Sequence, residues 1–202
     1  MLKKFTYILL LTTGLVCFNN QSFAVEAPDF QQTKQLAEKG DVSAQFNLGL
    51  MYMKGIGVQK DNFKAVEWYK KAAEQGDAGS QLNLGTMYEK GDGIPLDYQK
   101  AVEYYTEAAN QGNVIAQTNL GAMYVDGSGV PQNYQKALEY FSKAAKQGWG
   151  PAYYNLALMY GQGKGVQQDR KKGEEYMKQG CLHKNEASCE FYAKLQKLKQ
   201  SH

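Results

Sequence analysis

The sequence predicts an all-α protein, an α/α solenoid built from helix–turn–helix repeats. The first observation is an internal period of 36 residues, which runs through four units of the 202-residue chain. The second is that each unit holds two stretches with apolar residues at helical spacing, and the third is a glycine-rich turn between them. A period between about 20 and 50 residues is typical of repeat architectures, and helical spacing within the unit favours a solenoid over a propeller.

The period is defined by five columns of identical residues, with one member of each column in every unit. The columns are Gly40, Gly76, Gly112 and Gly148; Asn47, Asn83, Asn119 and Asn155; Leu48, Leu84, Leu120 and Leu156; Met51, Met87, Met123 and Met159; and Tyr52, Tyr88, Tyr124 and Tyr160. A solenoid repeat buries its apolar face only by stacking on its neighbours, so we expect atypical units at both ends.

The first 24 residues predict a secretory signal peptide. Lys3 and Lys4 precede an apolar run, and Ser22-Phe23-Ala24 provides a small-residue cleavage site. The apolar run is too short for a membrane span, which needs about 20 residues. We expect cleavage after Ala24 and a periplasmic or secreted protein without a stable membrane span, with lipidation at Cys17 as the alternative.

Composition and charge after export indicate a globular chain with no nucleic-acid partner. Hydrophobic residues make up 43% of the sequence and charged residues 21%, which is typical of soluble globular proteins. Without the two N-terminal lysines, 21 basic residues face 20 acidic ones. Nucleic-acid binding needs clustered lysine and arginine, and the one compact run, residues 170–172, is expected to be a solvated helix start.

The predicted boundaries follow the period. Residues 25–35 form an N-terminal segment with the start of a capping helix, and residues 181–202 form a C-terminal capping helix and tail. Between them, residues 36–180 hold four repeats, at about 36–72, 73–108, 109–144 and 145–180. Asp29 to Lys39 aligns with a lone second helix, and Ala187 to Leu198 aligns with a lone first helix.

Each repeat is predicted to contain a first helix, named helix A, and a second, named helix B. In the first repeat the apolar positions of helix A start at Ala44, and those of helix B start at Ala65. Gly55 and its copies are suited to a left-handed helix end, and Gly57 and its copies to a tight turn. Helix B then starts at a side chain that can cap it, and these caps are Asp61, Asp97, Asn133 and Asp169.

The repeat pattern resembles the Sel-one-like repeat family, a relative of the tetratricopeptide repeat. The pattern is Ala-x-x-Asn-Leu-Gly-x-Met-Tyr, Gly-x-Gly-Val, Asp, Lys-Ala, an aromatic pair and Ala-Ala, over about residues 29–198. The resemblance implies a right-handed, tetratricopeptide-like superhelix and an adaptor that binds other proteins, with envelope or host-interaction roles among secreted bacterial members. The fourth repeat departs from the pattern at Ala157, Gly173 and Gly180, so we expect a weaker helix B there.

Two cysteines remain after export, Cys181 and Cys189, and they predict a disulfide. The 36-residue alignment places them at facing positions of a helical hairpin, and an exported protein meets an oxidising compartment. Cysteine-rich members of the resembled family pair cysteines at this spacing, which reinforces the prediction. Free or metal-binding thiols are the alternative.

The predicted ligand surface combines the asparagine column with positions of helix A that vary between repeats. An amide side chain offers both a donor and an acceptor to a peptide backbone. The predicted contact residues are Asn47, Asn83, Asn119, Asn155, Phe46, Leu50, Leu82, Thr86 and Tyr154. The alternatives are that the varying positions pack against the next helix A and that the asparagines tie neighbouring repeats together.

The predicted function is non-catalytic binding of a protein or peptide by a monomer, with no cofactor. A β-lactamase-like or cell-wall-related hydrolase is the alternative, because some cysteine-rich relatives have been described as β-lactamase-like. A penicillin-interactive serine site needs a lysine three residues after the serine, and no serine of this chain has one. The two histidines, His183 and His202, have no triad partners nearby in sequence.

Overall fold

The computed structural model describes residues 29–200, where all regular structure is helical. The ten helices of this range are α1 (Phe30–Glu38), α2 (Val42–Lys54), α3 (Asn62–Glu74), α4 (Ala78–Lys90), α5 (Tyr98–Asn110), α6 (Val114–Asp126), α7 (Tyr134–Lys146), α8 (Gly150–Gln162), α9 (Arg170–Leu182) and α10 (Glu186–Gln200). None of them is long and apolar enough to cross a membrane. The predicted signal peptide and Cys17 lie outside the described residues.

The helices form an α/α solenoid, which confirms the predicted fold class. Helices α2, α4, α6 and α8 are the A helices, and α3, α5, α7 and α9 are the B helices. Each helix packs chiefly against the helices before and after it in the chain. Helix α1 stands where a lone helix B would precede the first repeat, and α10 stands where a helix A would follow the fourth.

The predicted glycine end of helix A and the predicted capped start of helix B are both present in the structure. The first repeat shows the pattern, since α2 ends at Gly55 with a left-handed φ of 71°. The backbone N–H of Lys64 donates to the Asp61 side chain at 3.1 Å, which caps α3. Asp97, Asn133 and Asp169 accept the equivalent hydrogen bond in the later repeats. These contacts satisfy backbone groups that a helix end leaves unpaired.

The second glycine of each turn has a role beyond the turn itself. Gly93 has a φ of 73°, and a Cβ added there would lie 2.6 Å from the carbonyl oxygen of Asn62 in the preceding repeat. Gly129 and Gly165 make similarly close approaches to Tyr98 and Tyr134. The turn of one repeat therefore docks on the start of helix B in the repeat before it.

The core is built from the leucine column and a large side chain on each helix B. Leu48, Leu84 and Leu120 are fully buried, as are Tyr69 and Tyr105. In the second repeat the Tyr105 ring packs against the backbone of helix A, because a Cβ added at Gly85 would lie 2.6 Å from its Cδ1. Gly49 and Gly121 accommodate Tyr69 and Phe141 in the same way.

The fourth repeat packs its helix A against its helix B with different residues. Ala157 replaces the glycine of helix A, and Met177 replaces the aromatic residue of helix B. Gly173 replaces a packing alanine, and a Cβ added there would lie 3.0 Å from the carbonyl oxygen of Ala157. In the fourth repeat the α9 backbone at Gly173 therefore makes the close approach to helix A that an aromatic ring makes in the earlier repeats. Helix α9 spans 13 residues, as the other B helices do, so it is no shorter than they are.

Pairs of glutamines link helices A and B in the first three repeats. The Nε2 of Gln75 donates to the Oε1 of Gln45 at 2.8 Å, and Gln111 donates to Gln81 at 2.7 Å. Gln147 and Gln117 repeat the contact. In the fourth repeat the equivalent residues are His183 and Tyr153, whose rings stack with centroids 5.0 Å apart. The polar pair is thus replaced by an aromatic one beside the disulfide.

Candidate functional site

A groove lies between the A helices of the third and fourth repeats, with a helix B side chain in its lining, and the 36-residue period places equivalent positions between the earlier A helices. Between α6 and α8 it forms a cavity of about 250 Å³, named here the repeat-three pocket. Val125 of α6, Phe141 of α7, and Asn155 and Leu158 of α8 are among its lining residues. We call the channel between the A helices, α10 included, the helix A groove.

A second cavity lies one repeat further along the same groove, between α8, α9 and α10. It has a volume of about 320 Å³ and is named here the terminal pocket. A shift of 36 residues converts much of the first lining into the second: Ala122 becomes Leu158, Val125 becomes Gly161, Phe141 becomes Met177, Asn155 becomes Phe191 and Met159 becomes Leu195. The two pockets share Leu158 and Gln162, so they are contiguous.

The groove changes character along its length. In the first half its buried aromatic residues carry hydroxyls, and the Tyr105 hydroxyl donates to Glu89 Oε2 at 2.6 Å and lies 3.1 Å from Thr86 Oγ1. Burial raises the pKa of Tyr105 well above its ordinary value, so this phenol stays neutral at physiological pH. In the second half the equivalent residues, Phe141 and Met177, have no polar atom able to donate. The groove therefore runs from a polar end to an apolar end.

The asparagine column lies where one repeat meets the next. Burial is the main cause of the raised pKa of Tyr69, and hydrogen bonding to Asn83 in the following repeat acts against it. Asn119 has the corresponding lowering effect on the pKa of Tyr105. Asn155 faces Phe141, which has no hydroxyl, and lines the repeat-three pocket. Asn47 lines a shallow surface pocket beside α1. All four asparagines are partly exposed.

The five varying positions named from the sequence are all half-buried, but they differ in their contacts. Phe46 packs against Tyr69 with ring centroids 5.9 Å apart, and Leu82 packs against the core around Tyr105. Thr86 donates to the Leu82 carbonyl oxygen at 3.0 Å. Leu50 and Tyr154 belong to none of the three clusters of core side chains. Leu50 and Tyr154 are therefore the members least committed to internal packing.

Leu158 and Gly161 of the terminal pocket are among the helix A positions that vary between repeats, but the predicted contact residues do not include them. Gly161, Met177, Phe191 and Leu195 were absent from the predicted ligand set. The signal was available, because Phe191 stands 36 residues after Asn155 and so continues the asparagine column onto α10. Extending each column one step past the fourth repeat would have shown an apolar residue where the earlier repeats have an amide.

The predicted disulfide is present and fastens α10 to α9. The sulfurs of Cys181 and Cys189 are bonded at 2.00 Å, and their Cα atoms lie 4.4 Å apart. The bond joins the last B helix to the capping helix. Metal-binding thiols are excluded for this pair, and no group of three or more potential metal ligands occurs anywhere in residues 29–200.

A family comparison assigns the repeats. The model of the Sel1 repeat matches residues 42–77, 78–113, 114–149 and 150–185, which is more than half of the chain. The chain belongs to the Sel1 repeat family. Sel1 repeat proteins generally act as protein-interaction adaptors, and their fold is typically non-catalytic. Nothing in the described residues of this Sel1 repeat protein shows enzymatic activity.

Solved structures of other Sel1 repeat proteins resemble this one. A protective antigen of uropathogenic Escherichia coli is 36% identical with a TM-score of 0.79, and the match covers 82% of this chain and 35% of the antigen. This chain thus spans about a third of the antigen's length. A Sel1 repeat protein from Oxalobacter formigenes is 34% identical with a TM-score of 0.79, covering 84% of this chain and 68% of that one. An immunity protein from Pseudomonas aeruginosa is 26% identical with a TM-score of 0.53, covering 79% and 59%. No curated protein matches this Sel1 repeat protein.

Proposed function

We propose that this Sel1 repeat protein is a monomeric, non-catalytic adaptor of the bacterial envelope, or one secreted towards a host, that binds a protein or peptide in the helix A groove. The observation that carries the proposal is the pair of contiguous pockets, which repeat with the 36-residue period and share Leu158 and Gln162. A groove that recurs along a solenoid suits an extended partner, because each repeat offers an equivalent contact.

The proposed location has two supports. The disulfide between Cys181 and Cys189 is of a kind that persists in oxidising compartments. The charged, apolar and small-residue regions of residues 1–24 have the order of a signal peptide. N-terminal sequencing of the exported protein should give Val25 as the first residue, whereas a lipid-modified Cys17 would contradict the proposed soluble form.

The experiment begins with a partner captured from envelope or host-cell extracts, identified, and then purified. Its affinity and the melting temperature are measured on the same variants. Leu50→Gln and Tyr154→Ser are expected to weaken binding at least tenfold while leaving the melting temperature nearly unchanged. Leu182→Gln is the matched control, because Leu182 is 67% exposed and lies on a B helix, outside the helix A positions that are tested. Normal affinity in both groove variants would contradict the proposal.

The variants Asn83→Ala and Asn119→Ala distinguish a role in binding the partner from a role in joining neighbouring repeats. A role in binding predicts lost affinity at an unchanged melting temperature. A role in joining repeats predicts the reverse, because each asparagine is near enough to a tyrosine of the preceding repeat to lower the pKa of its hydroxyl. Asn155→Ala is the informative companion, since its neighbour Phe141 has no hydroxyl. Suppose that Asn155→Ala lowers the affinity while the other two variants lower the melting temperature. The Asn155 amide then contacts the partner, because no tyrosine hydroxyl engages it.

A further inference from the structure

The terminal pocket is open because two side chains of the earlier repeats are reduced in the fourth. Gly161 stands where the earlier repeats have Met53, Glu89 and Val125. A methyl group added at Gly161 would have no heavy atom within 4 Å, so the space beside this residue is unfilled. Met177 stands where the earlier repeats have an aromatic ring. Phe191 and Leu195 of α10 form the far wall.

The size and lining of the terminal pocket fit one large apolar side chain. Its volume of about 320 Å³ is at the lower end of the range of ligand pockets. Leu158, Met177, Phe191 and Leu195 provide aliphatic and aromatic surface, and burying an aromatic side chain contributes strongly to binding in such a setting. The first three repeats fill their interiors with a ring from helix B, and the fourth has no ring of its own there.

The charges at the rim favour an acidic partner. Arg170 lines the pocket, and its guanidinium makes no hydrogen bond or ion pair with another described residue. The acidic rim residue, Glu174, is already engaged by the Lys199 ammonium at 2.6 Å and by Gln196 at 2.8 Å. A guanidinium beside an apolar cavity, without a partner among the described residues, is suited to a carboxylate.

The excess of positive charge at the pocket rim extends over the C-terminal part of the described solenoid. Residues 162–200 contain nine basic and five acidic side chains, a net charge of +4. Residues 29–161 contain twelve basic and fourteen acidic ones, a net charge of −2. Complementary charge guides which segment of a partner meets which end of the groove. An acidic segment is therefore directed to the end that holds the terminal pocket.

We propose that the terminal pocket binds an aromatic side chain of the partner, next to an acidic residue whose carboxylate pairs with Arg170. The inference rests on the proposed function and adds to it the chemistry and the polarity of the bound segment. The partner's aromatic-acidic segment lies at α10, and the rest of its chain runs towards the polar, Glu89-containing half of the groove.

The variants are chosen to alter the pocket without altering the fold. Gly161→Val introduces the residue that the third repeat has at this position. The added side chain enters open space, and it replaces a glycine, which has a low helix propensity, inside α8. Arg170→Gln removes the rim charge. Lys171→Gln is its matched control, because it removes the same charge one residue away and Lys171 is not in the pocket lining.

The probes are three synthetic peptides, acetylated and amidated at their ends, added to the isotope-labelled protein in an NMR titration. The first has the sequence Ser-Gly-Phe-Asp-Gly-Ser, the second has Ala in place of Phe, and the third has Lys in place of Asp. The first peptide is expected to shift the amide signals of Gly161, Gly173 and Phe191. The second should bind at least tenfold more weakly, and the third about fivefold more weakly.

The variants complete the test. Gly161→Val should weaken the first peptide at least tenfold, Arg170→Gln should abolish its advantage over the third peptide, and Lys171→Gln should preserve that advantage. Shifts that map elsewhere, or an unchanged affinity in Gly161→Val, would overturn the inference. Concentration-dependent shifts of the same signals without peptide would also overturn it, because a second copy of the chain would then occupy the pocket.

The outcome is separable from that of the proposed function. If the identified partner binds Gly161→Val normally but loses affinity for Leu50→Gln and Tyr154→Ser, the groove is the binding site and the terminal pocket is not its anchor. If none of the groove variants affects the partner, the proposed function fails, and the peptide titration still decides what the terminal pocket accepts.

Discussion

At the residue scale, the glycines of helix A are explained by what packs on them. Glycine inside a helix costs about 1 kcal/mol relative to alanine. Gly85 is nevertheless required, because its missing Cβ leaves room for the Tyr105 ring at a fully buried position. Gly161 has no such neighbour within 4 Å. The same residue type therefore has opposite energetic consequences at two positions of the A helices.

The first prediction is that Gly85→Ala and Gly161→Ala shift thermal stability in opposite directions. At Gly85 the new methyl overpacks the Tyr105 ring, which costs about 1–3 kcal/mol and exceeds the gain in helix propensity. At Gly161 the propensity gain of about 1 kcal/mol is unopposed. Thermal unfolding by circular dichroism measures both. Shifts of the same sign would show that the ring does not determine the choice of glycine.

Residue-scale features could be predicted from sequence where the interaction is local. Asp61 caps a backbone group three residues away, and Gly55 ends a helix through its own φ, so neither depends on the rest of the fold. The influence of Asn83 on the Tyr69 hydroxyl could not be predicted in the same way. It joins different repeats, and its geometry depends on how closely the helices stack, so the sequence left two roles open for the asparagine column.

At the element scale, α10 is a capping helix that packs against α9 and α8 and has no following repeat among the described residues. It is the last described helix, and α9 and the disulfide hold it in place. In the chain-entropy account, cross-linking two residues eight apart stabilises the folded state by about 2.5 kcal/mol. Solenoid stability is close to a sum of terms from neighbouring units, so the effect of breaking the cross-link should stay at this end.

The second prediction follows from that locality. Reduction, or the double variant Cys181→Ser and Cys189→Ser, should accelerate amide hydrogen exchange throughout α10 while leaving α4 to α6 unchanged. Hydrogen-exchange mass spectrometry resolves the helices separately. Equal acceleration in all repeats would show that the disulfide supports the whole solenoid rather than its last helix.

The third prediction concerns the ion pair between α9 and α10. The hydrogen bond from Lys199 holds the pKa of Glu174 below its ordinary value. A carboxyl group with a lowered pKa in the folded state contributes stability above its unfolded pKa of about 4.3 and loses it as the pH falls. Because Lys199 is 58% exposed, the contribution is no more than about 1 kcal/mol.

Hydrogen exchange in α10 should therefore accelerate as the pH falls from about 5 towards 3, after correction for the intrinsic exchange rate. The Glu174→Gln variant should show less of this change, because its side chain does not titrate. Gln196→Ala serves as the control, since it removes the neutral partner of Glu174 and leaves the ion pair in place. An identical pH response in the wild type and Glu174→Gln would assign the effect to other carboxylates.

At the scale of the whole molecule, the shared repeat pattern predicts the architecture, whereas the pocket has to be found from departures from that pattern. Five columns at one period specify a repeated helical hairpin, because the same local signals recur in every unit. The terminal pocket depends instead on what the fourth repeat lacks, at Gly161 and Met177, combined with what α10 provides, at Phe191 and Leu195. An absence in one repeat has no signature in the pattern that all repeats share.

The fourth prediction separates the scaffold from the surface. Leu84→Ala should cost about 2–5 kcal/mol through lost burial and a residual cavity, since Leu84 is fully buried. Under conditions in which both proteins are fully folded, the affinity for a groove ligand should stay within about twofold of that of the wild type. Chemical denaturation and calorimetry on one preparation measure both. A stable Leu84→Ala protein that no longer binds would place the leucine column within the binding site.

The most direct test of the helix A groove as the binding surface is site-specific photo-crosslinking to the identified partner. Benzoylphenylalanine is incorporated singly at Leu50, Val125 or Leu158, which belong to helix A of three repeats, and at Leu182 as the control outside the groove. Binding in the helix A groove predicts cross-links to the partner from all three helix A positions and none from Leu182. A partner that cross-links from Leu182 and from none of the helix A positions would contradict the groove as the binding surface.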